Sequence, residues 1–229
     1  MKIYHFYHIY ADGKWLIPVL EHFRALRKSK LAKNLAQLSI GMAGSLANRQ
    51  KLARFLKAYC WLFRLDYEIA AEDVEGWEQV TLEQLHEFSK THDGYVFYAH
   101  TKGAANNIKP NPLWRRLMTR YNVQQWETAV QQLKHHKAVG CYWLLPEDLH
   151  VSGYYFGGNF WWAHLSLIRT LDKPSRETRH HAESWLGQNY ETNPFPIYDL
   201  HPGFPHVIHN KRSLLRRLAG KIKRLKTGT

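Results

Sequence analysis

The run Gly94-Tyr95-Val96-Phe97-Tyr98-Ala99-His100 decides the fold class. It packs aromatic and β-branched residues into a short stretch, the composition of a buried strand. It then stops in Thr101-Lys102-Gly103, a turn marked by glycine. Back toward the N-terminus, helical and strand patterns alternate. Thr81–Thr91 reads as a helix, with Thr81 and Gln84 at capping-box spacing. Ala70–Gly76 is acidic and reads as a loop. Asn48–Leu65 reads as a basic amphipathic helix and Leu35–Met42 as a strand ended by Gly44. Trp15–Arg27 has Leu16, Val19, Leu20, Phe23 and Leu26 at helical spacing. Lys2–Ile9 opens the chain as a strand, closed by Asp12-Gly13. Such alternation builds an α/β domain with a central mixed, mostly parallel sheet flanked by helices, and with ligands met at the carboxyl ends of strands.

Beyond Gly103 the pattern loosens. Asn106–Pro112 reads as a polar loop, Leu113–His136 as a helix, Ala138–Leu144 as a strand, and Pro146–Gly158 as a loop rich in glycine and tyrosine. Helix is expected from Trp161 to Leu171 and again over Arg176–Leu186. Glu191–His209 holds prolines and histidines and reads as irregular coil.

The 229 residues fit one domain with a substantial core. The formal charge is +13, but its placement says more than its size. No acidic residue follows Asp199, while Lys211, Arg212, Arg216, Arg217, Lys221, Lys223, Arg224 and Lys226 crowd the tail; without these eight the body keeps +5. That divides the chain into a domain over 1–209 and a basic tail over 210–229, and argues for a local basic device rather than a nucleic-acid coat. Cys60 and Cys141 have no CxxC spacing, so a reducing cytosol is the expected setting. The N-terminus lacks a signal-peptide pattern, and no apolar run is long enough to cross a bilayer.

Four segments carry candidate chemistry. In His100-Thr101-Lys102-Gly103, Lys102 can neutralise a phosphate and His100 can meet a metal or a phosphate oxygen; equally, this is a plain turn with a solvated lysine. In Trp114-Arg115-Arg116-Leu117-Met118, arginines near a helix start oppose the helix dipole and point to a nearby anion, or to a solvated basic face. In Gly157-Gly158-Asn159-Phe160-Trp161-Trp162-Ala163, Asn159 can bond sugar hydroxyls and an indole can carry a sugar's C–H face; one Trp is expected in the core and one partly exposed. In Arg179-His180-His181-Ala182-Glu183-Ser184-Trp185-Leu186, Arg179 and Glu183 are four apart, either an intrahelical ion pair or a carboxylate held as a general base.

The order of these segments, with His150 between Val139-Gly140 and Gly158-Asn159, resembles a family of small bacterial, algal and viral glycosyltransferase-like proteins. It also resembles the galactofuranosyltransferase module of a bacterial O-antigen polymerase. The resemblance runs from about Tyr4 to Leu186. It implies a GT-A-like fold and transfer of a hexosyl unit, galactofuranosyl by analogy, from a nucleotide sugar (UDP-linked) to a lipid-linked surface glycan such as lipopolysaccharide O-antigen or capsule. It implies donor binding by His100, Thr101, Lys102, Gly103 and Arg115. Acceptor binding falls to His150, Asn159, Trp161 and Trp162, and catalysis to Glu183 with Arg179. The family's usual Asp-x-Asp motif, which holds a divalent metal (Mn or Mg), is missing; Asp73 and Glu75 come nearest, in an expected loop. Two alternatives stay open: a divalent metal (Mn or Mg) held without that motif, or a lysine or histidine that stabilises the departing diphosphate instead.

In the tail, Leu214, Leu215, Leu218, Ile222 and Leu225 form one helical stripe among basic residues. This is the pattern of a helix lying in the face of an anionic membrane, and it places residues 211–226 on the inner face of the plasma membrane. The expected protein is cytoplasmic and peripheral, with no nucleic-acid partner. A non-catalytic glycan- or lipid-binding subunit of a polysaccharide synthesis complex is the rival reading.

Overall fold

Strand β1 (Ile3–Tyr10) is buried along almost its whole length, as a near-continuous apolar run must be when parallel neighbours and helices cover it on every side. It is central in a computed structural model that describes residues 1–74, 77–105, 110–144, 154–188 and 192–198. The expected tail helix over 210–229, His150 and Glu75 lie outside the described residues.

The elements that follow β1 are α1 (Leu16–Lys28), α2 (Leu31–Asn34), β2 (Gln37–Ala43), α3 (Leu46–Phe63), β3 (Glu68–Asp73), α4 (Gln79–Ser89) and β4 (Tyr95–His100). Then come α5 (Pro110–Thr119), a π turn (Arg120–Gln124), α6 (Trp126–Gln132), β5 (Ala138–Cys141), β6 (Trp143–Leu144), β7 (Tyr155–Phe156), β8 (Trp161–His164), α7 (Leu165–Ile168), α8 (His181–Ser184) and β9 (Pro194–Tyr198). Seven strands form one sheet in the order β3-β2-β1-β4-β8-β5-β9. All run parallel except β8, which is antiparallel to both β4 and β5. The expected α/β class, with a mostly parallel sheet flanked by helices, is what the chain adopts.

Alternation along the strands feeds two cores. Tyr4, Phe6, Val96, Tyr98, Trp161 and Ala163 pack with Leu82, Leu85, Leu165 and Trp185 on one face. On the other face Tyr7 stacks on His22 (4.2 Å between centroids) and Phe97 on Trp162 (5.0 Å).

Several expectations need correction. Of the acidic stretch expected as a loop from Ala70, the part up to Asp73 belongs to the edge strand β3 (Glu68–Asp73); an edge has one side in water, where Glu68 and Asp73 are tolerated. Thr81 is not a cap. Helix α4 starts two residues earlier, and the buried Thr81 Oγ1 lies 2.8 Å from His8 Nδ1. The helix expected from Trp161 is strand β8 followed by one helical turn; an apolar run buried on both sides has no period to separate the two states. The helix expected over Arg176–Leu186 shrinks to His181–Ser184. Arg176 is drawn to Glu83 and Asp73, and Gln79 Nε2 donates to the Thr178 carbonyl, so the lead-in is held by α4 and β3. Pro194–Tyr198, expected as coil, is edge strand β9, where prolines cost no ladder hydrogen bond.

Candidate functional site

The strand order changes direction at β1. The chain steps from β1 to β2 to β3, then returns to lay β4 on β1's other side. Connections therefore leave β1 and β4 in opposite directions, and the region outside their carboxyl ends is where open α/β sheets take ligands. The residues there are Tyr10-Ala11-Asp12 after β1 and Thr101-Lys102-Gly103 after β4. Thr101 fastens the two strand ends: its N–H donates to the His8 carbonyl and its Oγ1 accepts from Tyr10 N, both at 3.0 Å. Gly103 has φ +83°, and a Cβ there would sit 2.8 Å from Asn111, so the turn that presents Lys102 requires glycine.

Lys102 is the partly buried cation of this corner. Its Nζ lies 4.7 Å from the centre of the Trp114 ring and 3.8 Å from Glu183 Oε1. Helix α8 brings Glu183 across the sheet end; its side chain is 22% exposed and that of Lys102 15%. A cation on an indole face, opposed by a carboxylate at the end of the sheet, can bind an anion and accept a proton side by side.

Beneath this pair lies a buried polar network that sequence reasoning missed. Glu78 Oε1 is 2.9 Å from His100 Nδ1, while Glu78 Oε2 accepts from Tyr98 O–H (3.0 Å) and Asn159 Nδ2 (2.6 Å). His100 Nε2 is 3.0 Å from the Gly158 carbonyl. Both partners of His100 only accept, so the ring meets both when each nitrogen carries a proton. Burial would raise the Glu78 carboxyl, but the charge and hydrogen bond of His100, with His8 and Lys102, bring it down to about 2. His8, 2.8 Å from Thr81 Oγ1, is lowered by burial to about 4. No local pattern flags Glu78, because its partners come from β4 and from the turn before β8.

The sequence-predicted residues divide accordingly. His100, Thr101, Lys102, Gly103 and Glu183 meet at one corner. Asn159 is 1% exposed and fully engaged: Nδ2 donates to Glu78 and to the Ala182 carbonyl, and Oδ1 accepts from Trp161 Nε1. It sits at φ +58°, which Asn tolerates, and it organises the network rather than offering itself to a sugar. Trp161 and Trp162 are 1% and 0% exposed, so both are core and the expectation of one exposed indole is corrected. Each indole N–H is satisfied internally, by Asn159 and by the Asn122 carbonyl. Trp114 is the indole that borders Lys102 instead.

Arg115 is also corrected. It is 5% exposed; Nε and Nη2 donate to Glu21, and Nη1 donates to the Lys102 carbonyl. The anion that its position called for is Glu21 of α1, and Arg115 braces the Lys102 turn. Arg179 lies before α8, exposed, with Nε 3.4 Å from His180 Nε2, so the expected pairing with Glu183 gives way to Lys102–Glu183.

The donor set does not fit a divalent metal. Glu78 is saturated by donors, Glu183 faces an ammonium, and Asp12 accepts from Ser45 and Asn48 at the start of α3. Among the described residues no three His, Cys, Asp or Glu side chains converge on a point.

The family model described as Domain of unknown function (DUF8361) matches residues 6–203. Curated proteins give no match. Among solved structures, the 4-diphosphocytidyl-2C-methyl-D-erythritol synthase of Anaerococcus prevotii DSM 20548 is similar over 73% of this chain and 73% of that chain, at 10% identity and a TM-score of 0.39.

Proposed function

The chain belongs to the family described as Domain of unknown function (DUF8361), and we propose that it is a hexosyltransferase working from a nucleotide-sugar donor onto a lipid-linked surface glycan. The observation that carries the reading is the Lys102–Glu183 pair at 3.8 Å beside Trp114, placed where β1 and β4 end. Lys102 meets the donor's diphosphate, aided by the Trp114 face. Glu183 takes the proton of the acceptor hydroxyl as its oxygen bonds the anomeric carbon. The bond from that carbon to the diphosphate breaks, and the electron pair leaves with the nucleoside diphosphate. Lys102 offsets the charge that develops on the leaving group, so no metal is needed for this step. Glu78, His100 and Arg115 hold the Lys102 turn and take no part in bond making.

The reading places the protein on the cytoplasmic face of the plasma membrane through residues 211–226. Among the described residues no helix is long and apolar enough to cross a membrane.

Donor turnover with Glu183→Gln is the direct test. The variant is expected to fold normally and lose about 10²–10⁴-fold in transfer rate, the share a positioned base supplies. Wild-type turnover in that variant removes Glu183 from the mechanism.

A further inference from the structure

Helix α3 contains no acidic residue, although it carries Arg49, Lys51, Arg54 and Lys57. Its inner side packs Leu52, Leu56 and Cys60 into the core. Its outer side ends in Trp61 and Leu62, 81% and 63% exposed. Trp61 is the most water-exposed large apolar residue of the described chain. Lys57 stands one turn before Trp61, and Arg64 follows two residues after Leu62, past Phe63.

A cavity of about 1120 Å³ opens beside this helix end, between α1, α2 and the start of β2. Arg24, Arg27, Lys28, Lys33 and Arg64 line it, and Asp66 is the sole carboxylate among its lining residues. Arg27 lies over the Phe63 ring, 3.6 Å from its centre. Elsewhere Arg49, Arg115, Arg116, Arg169 and Arg176 each meet a carboxylate. Among the described residues, none of Arg24, Arg27, Lys28, Lys33, Lys57 and Arg64 forms such a pair. The fold thus gathers unneutralised cations around an indole and a leucine that it leaves in water. An indole at a rim of Lys and Arg suits the headgroup layer of a bilayer, where the ring enters the interface and the cations meet anionic phosphates.

We propose that the C-terminal end of α3, with the basic cavity beside it, docks onto the headgroup layer of an anionic phospholipid bilayer, separately from residues 199–229. The proposal rests on the membrane part of the reading above and not on its transferase part.

The test is co-sedimentation of the full chain with vesicles of phosphatidylcholine mixed with phosphatidylglycerol, and with vesicles of phosphatidylcholine alone. The comparison is with the Lys57→Glu/Trp61→Ser/Arg64→Glu chain, whose changes lie on the surface. The variant is expected to keep its Tm and its response to nucleotide sugars. It should lose about tenfold or more in partition onto the mixed vesicles, with little binding to phosphatidylcholine in either chain. If wild type and variant partition equally onto mixed vesicles, the α3 surface is overturned while the tail reading stands. If the wild type ignores anionic vesicles and instead binds RNA, the surface and the membrane reading both fall, and the transferase reading is judged separately by donor turnover.

Discussion

Glu78 shows how much a single residue outside any motif can organise. Its carboxylate gathers His100, Tyr98 and Asn159 at distances between 2.6 and 3.0 Å, linking β4 to the turn that precedes β8. Glu78→Ala leaves His100 buried without its counter-charge, and such a break costs about 3 kcal/mol or more. A second buried group has the opposite preference. His5 Nδ1–H donates to the Phe97 carbonyl, and with both rings neutral, the state their burial favours, its Nε2 accepts from His22 Nε2–H at 2.8 Å. Burial lowers His5 from 6.5 to about 4, and burial with His5's proximity pushes His22 well below its ordinary value. Both kinds of group are depressed in the folded state, so their stability is present at high pH and lost as pH falls. The urea midpoint is therefore expected to fall first between about pH 6.5 and 4 as the histidines charge, and again between about 4.5 and 2 as Glu78 protonates. His5→Phe/His22→Phe keeps stacking partners for Phe97 and Tyr7 and should shrink the first fall to the share of His8, which burial also lowers to about 4, while leaving the second unchanged. A midpoint that is flat from pH 7 to 4 in the wild type contradicts the neutral histidine pair. Lys102 and Glu183 were legible in sequence as residue types suited to the chemistry. Asn159, Trp161 and Trp162 were legible as special, but the sequence could not tell a residue special for packing from one special for a ligand. Burial decides that, and burial is a property of the assembled sheet.

Elements were legible where one period dominates. β1, α1, β2, α3 and β4 fall within a few residues of their expected bounds, because each is a long run of a single pattern. The misreadings cluster where tertiary partners override local signals: β8 between two strands, β9 at the edge, and α8 cut short by contacts from α4. The seam between β2 and α4 offers a sharp test. A Cβ on Gly41 would lie 1.8 Å from Thr81 Oγ1, so the helix reaches the sheet only because residue 41 has no side chain. Gly41→Ala should force α4 outward and cost about 3 kcal/mol, at the upper end for overpacking. Because the clash has one partner, Gly41→Ala/Thr81→Ala should be less destabilised than the sum of the single variants, measured by urea unfolding. Strict additivity would show that the two residues are not in contact.

On the scale of the whole molecule, the parallel order β3-β2-β1-β4 puts the candidate site at one end of the sheet. Helix α3 leaves that end at Ser45 and runs back for 18 residues, about 27 Å, so Trp61 lies far from Lys102. A chain docked through Trp61 would hold its Lys102–Glu183 corner away from the headgroups, which suits the distal end of a growing glycan better than a sugar next to its lipid. The central claim is that the Lys102–Glu183 corner holds a nucleotide-sugar diphosphate. The measurement that tests it most directly is the thermal shift of the full chain and of Lys102→Met against a panel of nucleotide sugars and free UDP. A ligand bound at one hundred times its Kd stabilises the native state by about 2.7 kcal/mol, which is readily seen as a rise in Tm. The account predicts that one nucleotide sugar raises the wild-type Tm, that added manganese changes nothing, and that Lys102→Met removes the shift at unchanged basal Tm. No shift with any nucleotide sugar, or an equal shift in Lys102→Met, would contradict it.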